Sequence, residues 1–118
     1  MTDFEKLLQH ERIIYAVVSN PDGSRWQEFG DKRAKELGDL LATHAPTREA
    51  MPEIAEWMEG MVLPQVVGQG EQTCFYCRPA ADVIVILYPT GDRDSEASML
   101  RAFDIAGRLE AIFAASGR

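Results

Sequence analysis

Cys74-Phe75-Tyr76-Cys77 is the segment whose residue types most readily suggest chemistry. A Cys-x-x-Cys pair can cycle between dithiol and disulfide, or supply half of a zinc site. Its setting points elsewhere. The segment alternates as a β-strand does, and residues three apart on a strand face opposite sides with about 10 Å between their Cα atoms. A disulfide needs Cα atoms within roughly 7 Å. The pair does not open a helix, as a thioredoxin-type motif would. A zinc site would lack a second cysteine pair, and His10 and His44 are the only histidines. Structural cysteines are therefore expected.

The remaining reactive types are sparse. Gly68-Gln69-Gly70 is a fragment of a phosphate-binding loop, but a strand rather than a helix follows it, so a turn or strand end is expected. No Walker sequence and no Gly-x-Ser-x-Gly elbow occur. His10 and His44 each fall near the end of an expected helix, where a favourable dipole contact explains them. Asp92, Asp94 and Glu96 surround Arg93 at a helix start, which is the ordinary place for acids that complement the dipole. The sequence thus assigns no catalytic, cofactor-binding or metal-ligating residue and predicts a protein that is not an enzyme.

Met51–Val62 carries more information. At about 100° per residue, Met51, Ile54, Ala55, Met58 and Val62 share one face of a helix. Glu49, Glu53 and Glu56 gather on the other, with Trp57 and Met61 on the border. One reading is an amphipathic core helix with a solvated acidic side. The other is that the apolar band exceeds what one intramolecular contact can cover. Methionine adapts to varied partners, and tryptophan is enriched at binding hot spots. Trp57, Met58 and Met61 are the candidate dimer or partner surface, with Leu40 and Leu41 assigned to the core.

These residues need elements to hold them. Thr2 and Glu5 have capping-box spacing, and Phe4, Leu7 and Leu8 follow on one helical face. Ile13–Val18 is apolar on both parities, as in a strand buried on two sides. Asn20-Pro21-Asp22-Gly23 signals a turn, and a second strand through Trp26 to Phe29 completes a hairpin. A helix capped by Asp31 then carries Ala34, Leu37, Leu40 and Leu41 until Pro46 ends or kinks it. After Met51–Val62, strands are expected over Pro64–Gln69, Glu71–Arg78 and Ala81–Tyr88, with Pro79 marking the turn between the last two. A helix over Ser95–Ala115 closes the chain, with an apolar stripe through Leu100, Phe103, Ala106, Leu109, Ile112 and Phe113.

The order helix, strand, strand, helix, three strands, helix predicts an α/β (α+β) sandwich. Its five-stranded, mostly antiparallel sheet has helices on both faces and the doubly apolar strands at its centre. The short third strand is placed to pair with another subunit. The 118 residues fit a single domain over 1–118. Composition is that of a soluble globular protein, 46% hydrophobic and 26% charged. A net charge of −7 disfavours nucleic acid and anionic membranes as partners. The longest apolar run, Val83–Tyr88, falls far short of the roughly 20 residues of a membrane span. The start Met1-Thr2-Asp3-Phe4-Glu5 lacks a signal-peptide pattern, and with two cysteines the expectation is a cytoplasmic protein with reduced thiols.

Taken together, Ile13–Val18 with Asp22-Gly23, the helix from Asp31, the strands Glu71–Arg78 and Ala81–Tyr88, and the helix from Ser95 resemble the roadblock / dynein light chain family. The resemblance rests on element order and length over nearly the whole chain. It implies a profilin-like sandwich with the first and last helices on one sheet face and the middle helix on the other. It further implies a homodimer that pairs middle helices and joins third strands, acting beside a Ras-like small GTPase as activating partner or scaffold. Pro46 and Pro52 break the long middle helix usual in that family. Two alternatives stand beside this one: a small-molecule-sensing profilin- or PAS-like module, and an acidic secretion-chaperone-like protein.

Overall fold

The computed structural model describes residues 2–31, 34, 46–60, 64–69, 72–90 and 95–115. Within them lie α1 (Asp3–His10), β1 (Ile13–Ser19), β2 (Gln27–Gly30), α2 (Met51–Met58), β3 (Gln65–Gln69), β4 (Gln72–Ala80), β5 (Val83–Pro89) and α3 (Ser95–Ala115). The strands form one antiparallel sheet in the order β2-β1-β5-β4-β3. This is the expected α+β sandwich in the expected element order.

Alternation along the strands divides the core into two. Ala16, Val18, Phe75, Cys77, Val83, Val85 and Leu87 face α1 and α3. Tyr15, Val17, Cys74, Ile84, Ile86 and Tyr88 face α2. Because β5 is buried on both sides, every one of its residues is apolar or aromatic, as a central strand requires. The α3 helix presents Ala102, Ile105, Leu109 and Phe113 to the sheet at helical spacing. Phe4 of α1 meets Phe29 and Phe113 edge-on, with ring centroids 5.0 and 6.0 Å away. Full burial of each such side chain is worth about 1.5–3 kcal/mol, so these two layers supply most of the driving force.

Local chemistry sets the ends of the elements. The Thr2 hydroxyl accepts from the Glu5 amide at 3.1 Å, and the Glu5 carboxylate reaches back to the Thr2 amide at 3.4 Å, completing the capping box. In the β1–β2 turn, Asp22 Oδ1 accepts from the Ser24 amide at 2.9 Å, and Gly23 takes φ +86°. Arg101 and Arg108 of α3 both reach Glu11 in the α1–β1 connection, at 3.3 and 2.7 Å. Arg101 also donates to the Thr90 carbonyl at 2.7 Å, which binds the end of β5 to the same knot.

Two boundaries differ from expectation. Pro79 does not form the turn: β4 runs through it to Ala80, and the turn falls at Ala81–Asp82. The β4–β5 register shifts between Cys77 and Ala80, and such an irregularity is where a strand tolerates a residue without an N–H. The α2 helix stops at Met58 rather than Val62. Glu59 is extended at φ −64°, ψ 131°, and Gly60 takes φ +81°, a conformation that ends helices and suits glycine. The helix expected from Asp31, with Leu37, Leu40, Leu41 and His44, lies outside the described residues apart from Asp31 and Ala34. So do Asp92, Arg93 and Asp94. Among the described residues no helix is long and apolar enough to cross a membrane.

Candidate functional site

The Cys74–Cys77 pair is structural. Cys74 and Cys77 sit in the core on opposite faces of the sheet, one under α2 and the other under α1 and α3. Burial pushes each thiol up to about 12, so both are protonated at neutral pH and neither is poised as a nucleophile or ligand. Among the described residues no cluster of three or more His, Cys, Asp or Glu could hold a metal ion.

The α2 face of the sheet is where surface features converge. Before the helix, Thr47 Oγ1 accepts from the Ala50 amide at 3.0 Å, and Pro52 sits in the first turn, where its missing N–H costs nothing. Met51, Ile54, Ala55 and Met58 then point down onto β1, β4 and β5. The helix flank carrying Ala50, Glu53 and Trp57 overhangs β3 and β4. Between them lies an open cleft of about 300 Å³, lined by Ala50, Glu53, Ile54, Trp57, Val67 and Tyr76.

Trp57 and Tyr76 form its aromatic corner. Their ring centroids are 5.2 Å apart and their planes cross at 83°, the edge-to-face arrangement that aromatic quadrupoles favour. Trp57 remains 45% exposed, among the largest apolar side chains left open to solvent. Tyr76 is half-buried; burial, with Cys74 beside it, pushes its hydroxyl well above the ordinary tyrosine range. The phenol is therefore neutral across the physiological range.

The three residues expected to form a partner surface do not share one fate. Trp57 stands at the surface. Met58 does not: it is 3% exposed and packs with Met51, Ile84 and Ile86 beneath the helix, because its position repeats the inward face set by Met51, Ile54 and Ala55. Met61 lies outside the described residues. Glu53, Val67 and Tyr76 were missed as site residues. Glu53 precedes Trp57 by four positions and so shares its flank, a signal present in the sequence. Val67 and Tyr76 join only through the β3–β4 pairing, which brings Val67 opposite Cys74 and Gln65 opposite Tyr76.

At the outer side of the cleft, β3 is a sheet edge, bonded to β4 and to no second strand among the described residues. An edge strand is where a further strand can pair with a sheet. Among known proteins no family model matches this chain, and no curated protein matches it.

Proposed function

We propose that this chain is a non-catalytic, homodimeric regulator or scaffold for a Ras-like small GTPase in the cytoplasm. The observation that carries the reading is the side of the molecule where α2 stands on its sheet face beside β3, the edge strand among the described residues, with Trp57 exposed. Two copies meeting there would extend one sheet through both β3 strands and cover both tryptophans. The placement of α1 and α3 on one face and α2 on the other agrees with the architecture that the roadblock resemblance implies. The regulator would act by ordering the switch segments of the GTPase through protein contacts. Any rise in hydrolysis would come from positioning the groups of the GTPase itself, and no arginine of this chain is given a finger role.

The test is capture from source-cell extract with tagged protein, once with GDP and once with a non-hydrolysable GTP analogue, read by mass spectrometry. A small GTPase enriched in one nucleotide state is the expected result. Recovery of no GTPase in either state removes this part of the proposal.

The cleft favours a second reading, a ligand-sensing module. An apolar, aromatic-cornered recess of this size with one carboxylate at its mouth has the makings of a small-molecule site.

A further inference from the structure

We infer that the cleft between α2 and the β3–β4 edge receives a compact organic cation: an alkylated ammonium or a guanidinium group. The inference rests on the ligand-module reading of the cleft and stands as the alternative to the dimer, since two copies meeting at Trp57 would cover the same cleft.

Three features select that chemistry. Trp57 and Tyr76 meet at 83° and make a corner with aromatic walls, and the negative π-face of an indole attracts a cation placed over it. With 45% of Trp57 open, part of the residue is left accessible to an incoming group. Glu53, one helical turn before Trp57, sets a carboxylate at the mouth of the cleft. Among the described residues its side chain has no hydrogen-bond or ion-pair partner. Its place in the first turn of α2 also complements the helix dipole, a role that ligand binding leaves intact.

The rest of the lining sets the class. Ala50, Ile54 and Val67 are apolar and offer nothing to replace a tight hydration shell. A small inorganic cation or a bare ammonium would lose water without compensation there. Alkylated ammonium and guanidinium groups are weakly hydrated, carry apolar surface of their own, and fit both the walls and the carboxylate. Anions are opposed by Glu53 and by a net charge of −7.

The test follows the Trp57 indole resonance by NMR during titration with choline chloride, with its neutral carbon isostere dimethylbutanol, and with sodium chloride at matched ionic strength. A further arm uses blocked arginine amide, which stands for a cation carried on a peptide. The expected result is a saturable shift with choline or arginine amide, about fivefold or more tighter than with the neutral isostere. The tighter of the two cations identifies whether the source is a free ammonium or a protein side chain. Glu53→Gln should weaken the cations several-fold and leave the isostere unchanged, and Trp57→Leu, read at the backbone amides of Val67 and Tyr76 in the same cleft, should abolish the response to both. Equal affinity for choline and its isostere overturns the inference while keeping a ligand site. No saturable shift with any organic probe overturns both.

Discussion

Glu11 shows how much one side chain can organise. Its carboxylate takes Arg108 at 2.7 Å and Arg101 at 3.3 Å, and so joins the first turn of the fold to the last helix. Burial pushes its carboxyl up, but hydrogen bonds and charge from Arg108 and Arg101 outweigh this and hold it below the ordinary value of 4.5. A carboxyl lowered in the folded state stabilises above its unfolded pKa, and that contribution is lost as pH falls through the folded value. Glu11→Gln should therefore cost about 1–2 kcal/mol at neutral pH, toward the low end of the roughly 1.5–3 kcal/mol of a hydrogen bond to a charged group because solvent screens the partly exposed Arg108. Urea titrations should show the difference from wild type shrinking as pH drops below the ordinary carboxylate range. A difference that stays constant with pH would contradict this role. At the same scale, Cys74 and Cys77 were readable from strand geometry alone, because three positions on a strand reverse the face. The surface role given to Met58 failed because its helical position put it on the inward face with Met51.

At the scale of elements, caps and alternation were legible and irregular features were not. Thr2 and Glu5 announce α1, and the doubly apolar runs announce β1 and β5. Pro79 misleads, since a proline that ends most strands is accommodated where the β4–β5 register already shifts. The early end of α2 depends on Gly60 adopting φ +81°, and a glycine permits that conformation without announcing it. Gly23 joins two elements. It holds φ +86° in the β1–β2 turn, and a Cβ there would lie 2.4 Å from the Arg48 carbonyl, just before α2. Gly23→Ala should destabilise the protein by about 1–3 kcal/mol through left-handed strain plus that clash, read as a lowered midpoint of thermal unfolding. An unchanged midpoint would mean that the turn and the α2 approach move apart freely.

At the scale of the molecule, the sheet order β2-β1-β5-β4-β3 leaves β3 at an edge and places α2 over the neighbouring face. Element order made the sandwich legible in the sequence. The cleft was not, because it combines Glu53 and Trp57 of α2 with Val67 of β3 and Tyr76 of β4, residues that no single periodicity relates. The proposed dimer would place this side of the molecule, with Trp57, where two copies meet. Sedimentation equilibrium on the wild-type protein and on Trp57→Ala tests it most directly, with circular dichroism on the same samples. A wild-type dimer that dissociates on dilution and a folded variant with markedly weaker association are expected. A wild-type protein that stays monomeric, or a Trp57→Ala variant that dimerises as well as wild type, would contradict it.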